Sequence, residues 1–261
     1  DQRNSVAAPP SGSFLDGTPF NTKLRNYTGK LTYQMNQNNK FVAYLQHGTK
    51  TQPNRTDSSN RVGAPIHITA DSTTLQDSPS WVFKGEWNGT INQNMFAEFR
   101  AGQFGYNFGL NSNTGDARYE SFTTNQILGG GRDWESRRRR NQFTGSLSYF
   151  KDNFLGGSHN LKTGGEYLAE SGQTLWNQAY ANNVIHFVNG DLTGPLAGVT
   201  PASVRLQNNA DAKNALATTS FFVTDTWTIQ RLTVNAAARF DRYRVWLPEQ
   251  TRPAGRFSTA E

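Results

Sequence analysis

The chain has 261 residues, of which 35% are hydrophobic, 12% aromatic and 18% charged, and it carries a net charge of +6. With a mean hydropathy of -0.70, no run approaches the ~20 apolar residues that a membrane-spanning helix needs, so a helical membrane protein is excluded. There is no cysteine, which excludes disulfide frameworks, thiolate zinc sites and cysteine nucleophiles together.

The first regular element is read from strict alternation. Tyr27, Gly29, Leu31, Tyr33 and Met35 fall on one face, and Thr28, Lys30, Thr32 and Gln34 on the other. Strand side chains point to opposite faces in turn, so the spacing predicts a strand with one oily and one wet side. Asn36 to Asn39 is a polar tight turn into a second strand, Lys40 to Gln46. A long polar stretch, His47 to Pro79, reads as a loop.

The second hairpin pairs Trp81–Trp87 with Met95–Ala101 across Asn88 to Asn94. Trp81, Phe83, Gly85 and Trp87 share one face; Lys84, Glu86, Glu98 and Arg100 share the other, predicting a charge ladder between neighbouring strands whose register is open. A second long connection, Gln103 to Arg140, carries Gly129 to Gly131 and Trp134. The third hairpin joins Phe143–Tyr149 to Leu161–Tyr167 through Lys151 to His159, with Lys162 and Glu166 on the polar side. In the third long connection, Glu170 to Ala217, the segments Val184–Val188 and Ser203–Leu206 either extend a strand above the bilayer or form a hairpin inside the loop. The last hairpin runs from Ser220–Trp227 through Thr228 to Arg231 into Leu232–Asp241. Leu232, Val234, Ala236, Ala238 and Phe240 are predicted to face out, and Thr233, Asn235, Arg239 and Asp241 in. Phe221-Phe222-Val223 interrupts the alternation.

Eight alternating strands with connections that are alternately short and long predict an all-β, antiparallel up-and-down transmembrane barrel with long extracellular loops. Low hydropathy does not oppose this, because lumen-facing residues are polar, and aromatic enrichment suits girdles at the two interfaces. The alternative is a secreted β-sandwich binding module, whose strands also alternate. Segments near the ~9–11 residues of a tilted crossing, against ~5–6 in globular strands, favour the barrel. So do three loops longer than ~30 residues on one side.

The N-terminus, Asp1 to Ser5, lacks the basic start and apolar stretch of a signal peptide. If short turns are periplasmic, eight strands leave both chain ends outside the cell, whereas a complete barrel keeps its ends in the periplasm. The expectation is an interior slice of a larger barrel; a complete eight-stranded barrel or a surface adhesin, binding a partner through its long loops, is the alternative.

The segments Phe222-Val223-Thr224-Asp225-Thr226-Trp227, Arg231-Leu232-Thr233-Val234-Asn235 and Ala238-Arg239-Phe240-Asp241 resemble the barrel of TonB-dependent outer-membrane receptors. Gly29 to Gln34, Asn38 to Phe41 and Trp246 to Gln250 are similar to the Oar-type branch, which often carries a carboxypeptidase-regulatory-like domain. The resemblance implies a 22-stranded barrel in the outer membrane of a Gram-negative-type bacterium, holding a plug in its lumen. It also implies TonB-driven uptake of a scarce nutrient. Neither a plug nor a TonB box is recognisable in residues 1–261, so those partners, and the transported ligand, belong to a parent protein.

Several site expectations follow. Arg137, Arg138, Arg139 and Arg140 stand where a long loop enters a strand, and alternate guanidiniums pointing outward would meet lipopolysaccharide phosphates; without an interleaved basic and aromatic face, nucleic acid is not expected. Lys30, Lys84, Glu86, Glu98, Arg100, Lys162, Glu166, Arg239 and Asp241 are expected to face the lumen, toward a plug or a passing ligand, or merely to keep the wall polar. Trp134, Trp176 and Tyr180 are loop candidates for ligand contact. His47, His67, His159 and His186 have no metal-ligand spacing, and Gly102 to Gly105 has no phosphate-loop lysine, so neither a metal nor a cofactor is expected. No Ser, His and acid arrangement supports an enzyme.

Overall fold

The computed structural model describes residues 2–4, 21–56, 65–177, 184–206, 208–252, 254–257 and 259–260. One sheet dominates it. Its strands are β1 (Gln2–Asn4), β2 (Thr22–Asn36), β3 (Asn39–Arg55), β5 (Thr74–Asn92), β6 (Met95–Ser112), β9 (Asp133–Phe154), β10 (Gly157–Asn177), β13 (Ala210–Ile229) and β14 (Leu232–Trp246). They lie side by side in chain order, every neighbour antiparallel. Among the described residues the sheet does not close on itself: β1 and β14 are its two edges.

All eight expected strands are present, within longer ones. The eight run from 15 to 22 residues, well beyond the ~9–11 that cross a bilayer. The additional length lies toward the long connections, where Thr49, Lys50, Asn107, Ser136 and Gln173 sit in strand. There both faces of the sheet meet polar surroundings, so hydrophobic alternation lapses while the backbone ladder continues.

The four short turns have two residues each. Asn36-Gln37-Asn38 and Asn92-Gln93-Asn94 repeat one device, in which the first asparagine side chain accepts from the backbone N–H of the third at 2.9 Å. At the β9 to β10 turn Leu155 (φ 47°) and Gly156 (φ 79°) are both left-handed, the form that suits the right-handed twist of paired strands. Expected longer turns at Asn88 to Asn94 and Lys151 to His159 are thus shortened by further pairing, Thr90 with Phe96 and His159 with Lys151.

The three long connections build a second sheet. Its strands are β4 (Ile66–His67), β7 (Arg118–Ser121), β8 (Gln126–Leu128), β11 (Val184–Asn189) and β12 (Thr200–Leu206), in the order β12-β11-β7-β8-β4. β11 and β12 take the hairpin option within their loop. β4 pairs parallel with β8 and β11 parallel with β7, so each long connection is tied to another by backbone hydrogen bonds. This is where the dry core sits. Ile127, Ile185 and Leu192 are at most 2% exposed. On the large sheet, by contrast, Leu31, Phe221 and Phe240 are about 60% exposed or more (68, 59 and 61%).

Candidate functional site

Pairing registers assign every side chain of the large sheet to one of two faces, because directly opposed residues share a face. One row reads Tyr33, Phe41, Trp87, Phe99, Gly145, Gly165, Phe221, Phe240 across eight strands. Aromatic rings lie over the two glycines: Phe99 beside Gly145 and Phe221 beside Gly165. This apolar face is the lipid side. A soluble protein does not leave a continuous apolar surface of this extent uncovered.

The opposite face is the wet one, and the same registers place all nine expected residues on it: Lys30, Lys84, Glu86, Glu98, Arg100, Lys162, Glu166, Arg239 and Asp241. The predicted ladder forms. Glu86 pairs with Lys84 and Arg100, each at 3.4 Å; Arg100 reaches Glu98 at 2.9 Å, and Glu98 meets Lys162 at 3.5 Å. Ser146 of β9 donates to the same Glu98 carboxylate, so the chain of contacts crosses four strands, β5, β6, β9 and β10. Arg239 pairs with Asp241 at 2.8 Å, and Ser220 donates to that aspartate. Phe222, the residue that interrupts the alternation, also faces inward, its ring over Gly164.

The arginine run lies inside β9 rather than at a loop base. Strand pleat splits it: Arg137 and Arg139 continue the lipid face, while Arg138 and Arg140 face inward. Arg138 donates to the carbonyls of Arg137 and Gln173, and Arg140 lies 3.6 Å from Glu170. With Phe104, Tyr106 and Asn214, these two arginines line a cavity of about 450 Å³ in the inner wall. Gly172 makes room for it; a Cβ there would meet the Asn214 amide and the Arg138 guanidinium.

Trp134 and Trp176 were expected in loops. They lie instead in β9 and β10, directly opposed on the inner face, their rings stacked at 5.9 Å. Phe108 joins them, 5.2 Å from Trp134, and the Arg55 guanidinium lies over Phe108. Asp133, Glu135 and Ser136 beside Trp134, and Thr174 and Asn177 beside Trp176, break the apolar alternation, which is why the extension of the strands escaped pattern reading. Tyr180 lies outside the described residues.

Two clusters had no sequence signal: the members of one sit in irregular loop sequence without a period, and those of the other are brought together from strands 66 residues apart. In the loop layer, Arg118 (0% exposed) pairs with Glu120 at 2.8 Å, and Arg132 reaches the same carboxylate at 3.2 Å. Burial alone would raise the Glu120 carboxyl; the two guanidiniums outweigh it and hold the group below the usual range. His67, fully buried, accepts or donates a 3.0 Å bond with Ser72, and burial, reinforced by the charge of Arg118, lowers it to about 4. Near the short-turn end of the lipid face, His159 lies 2.6 Å from Asp225 and stacks on Trp227.

Comparison with known proteins agrees with this geometry. No curated protein matches the chain by sequence. Among solved structures, the outer membrane transporter YddB of Escherichia coli superposes with a TM-score of 0.64 at 10% identity, over 90% of this chain and 30% of its own. The siderophore receptor PiuA of Acinetobacter baumannii gives 0.54 at 10% identity, over 100% and 39%. FpvA of P. aeruginosa, solved with bound pyoverdines, gives 0.56 at 12% identity, over 91% and 32%. The chain therefore spans about a third of the length of these structures, and at such identities the shared property is the fold. The profile of the outer membrane beta barrel domain matches residues 2–261. By that match the chain belongs to the outer membrane beta barrel domain family, and its place is the outer membrane of a Gram-negative-type bacterium.

Proposed function

We propose that this chain is a wall segment of a TonB-dependent receptor that takes up a scarce nutrient through a plugged barrel of about 22 strands. The observation that carries this reading is the pairing of eight strands, each longer than a membrane crossing, with a charged inner wall, in a chain spanning about a third of transporters that share its fold. On this reading the ladder through Glu86, Arg100, Glu98 and Lys162 faces the plug of the parent protein. The cavity beside Arg138 and Arg140 and the stacked Trp134 and Trp176 lie higher on the same wall, where an incoming ligand passes under the loop sheet. The Oar-like assignment is the same proposal at finer grain, and rests on the sequence segments given above.

The test is growth. A strain lacking the encoding gene is competed against its parent in media each limited in one nutrient, such as iron or a carbohydrate. A defect under one limitation, rescued by the gene only when TonB is present, is the expected result. Rescue independent of TonB, or no defect under any limitation, contradicts the proposal.

A further inference from the structure

Aromatic rings stand on the inner face of the wall, where polar side chains are the rule. Above Arg100 on β6 the inward residues are Gly102, Phe104, Tyr106 and Phe108, and Phe104 is 42% exposed on this wet side. Phe104 and Tyr106 lie 6.0 Å apart with their planes tilted by 50°. Phe108 continues the column and meets Trp134 at 5.2 Å; Trp134 meets Trp176 at 5.9 Å. Both β6 and β9 have paired neighbours on either side, so this exposure belongs to the wall itself and not to an edge of the sheet.

Each ring of the β6 column has a guanidinium beside it. Arg140 is directly opposite Phe104 and Arg138 directly opposite Tyr106, and the Arg55 guanidinium lies 5.2 Å over Phe108. Arg55 is engaged by Gln76 at 2.6 Å. Arg138 donates through Nη1 to the carbonyls of Arg137 and Gln173, and forms no ion pair among the described residues. Arg140 is 3.6 Å from Glu170, beyond hydrogen-bond length. On the other side of Tyr106 stands Ser80 of β5. The column therefore presents apolar ring faces with hydrogen-bond donors along both margins.

Two cavities meet along this column. Phe104 and Arg140 line both the one of about 450 Å³, which rises past Tyr106 to Gly172, and a second of about 430 Å³, which descends to Arg100 and Glu166. Glu170 is the one carboxylate lining the upper cavity, against the inward guanidiniums of Arg138 and Arg140. From Phe104 to Phe108 the strand rises ~13 Å, room for a short run of linked sugar rings. A pyranose has an apolar face of C–H bonds and a rim of hydroxyls, so it lies against an aromatic ring and takes hydrogen bonds at its edge. Tilts of 50° and 42° between neighbouring rings make an uneven surface that suits puckered sugars; flat nucleic-acid bases stack on open ring faces.

Resting on the uptake reading above, we propose that this column is a slide for an acidic oligosaccharide, the ligand class that this wall accepts. Sugar faces lie over Phe104 and Tyr106, and a ring carboxylate takes a bidentate bond from Arg138, with Arg140 next along the path. The repeat of ring and guanidinium along β6 and β9 offers the chain the same contacts at successive steps, so it can advance without leaving the wall. Charge and shape carry the assignment together: rings alone would suit a neutral sugar, and arginines alone any anion.

The test uses the intact protein extracted from outer membranes in detergent. Oligomers of galacturonate, mannuronate and glucuronate are the probes, and their methyl esters the uncharged counterparts. At least one acid is expected to bind about tenfold or more tightly than its ester, and Tyr106→Ala and Arg138→Gln each to weaken that binding about tenfold. Binding of none of the acids, or equal binding of acids and esters, overturns the proposal with wild-type protein alone, so the answer does not depend on the variants folding. Folded variants that bind as the wild type does also overturn it, by placing the sugar elsewhere. Equal competition by an oligothymidylate of matched charge does so too, because the wall would then take any polyanion. Binding in detergent needs no TonB, so failure here leaves the uptake reading standing, and failure of TonB-dependent rescue leaves this binding result standing.

Discussion

Glu86 of β5 stands directly opposite Arg100 of β6, and their 3.4 Å ion pair is the centre of the inner-wall ladder. Arg100 also reaches Glu98 on its own strand, whereas Lys84 pairs with Glu86 alone among the described residues. Both cations are close to half exposed, so each pair contributes at most about 0.2–1 kcal/mol. Arg100→Ala is accordingly expected to cost more than Lys84→Ala, yet no more than about 2 kcal/mol. A double-mutant cycle on Glu86 and Arg100 in urea checks this; a coupling above that range would mean the wall is drier than it looks.

The loop layer is a different electrostatic case. Arg118 and Glu120 are buried, so removing Arg118 takes the nearer of two cations from a buried carboxylate and leaves it with Arg132. Arg118→Leu is expected to cost about 3–5 kcal/mol locally. Hydrogen exchange should show faster amides in β7, β8 and β11, with β5, β6 and β9 unchanged. Uniform acceleration across both sheets would show that the two layers unfold together.

His67 supplies a pH dependence for the same layer. Its folded value of about 4 lies below the ordinary 6.5, so the unfolded chain binds the proton more readily between those values. The stability it supports is therefore complete above pH 6.5, falls as pH drops from 6.5 toward 4, and does not fall further below that. The loss is roughly 3 kcal/mol at its largest. His67→Gln should flatten this part of the stability profile, read from exchange of β4 and β8 amides; an unchanged slope would assign it to another group.

At the β9 to β10 turn, Leu155 occupies a left-handed conformation that branched and bulky residues resist. Leu155→Asn is expected to stabilise by about 0.5–1 kcal/mol, and Leu155→Val to destabilise. Thermal unfolding in detergent micelles distinguishes the two, and the same sign for both would place the turn under some other control.

How much of this was legible in the sequence follows from where each residue meets oil. Strands such as Tyr27–Met35 and Phe143–Tyr149 alternate because one face touches lipid and the other water, and the nine inner-wall residues are found from that pattern alone. Above the bilayer the contrast between faces disappears. Arg137 to Arg140, Trp134 and Trp176 therefore read as loop although they are paired in ladder. The short strands of the loop sheet were harder still. β7 and β8 are four and three residues long and owe their pairing to segments far away in the chain, such as Ile185 against Arg118. Contacts over that separation leave no local period. The Glu98 to Lys162 pair, 64 residues apart, became visible only when register put both on one face.

The central claim is that two faces of one sheet meet two solvents, and the absence of cysteine makes it directly measurable. Single substitutions are introduced in the intact outer membrane at inner-wall positions, Lys30→Cys, Lys84→Cys and Lys162→Cys, and at their lipid-face neighbours, Leu31→Cys, Phe83→Cys and Leu161→Cys. A water-soluble maleimide is then applied after permeabilisation. The inner-wall set should label and the lipid-face set should not, unless the membrane is first dissolved in detergent. Equal labelling of both sets in the intact membrane would contradict the barrel wall described here.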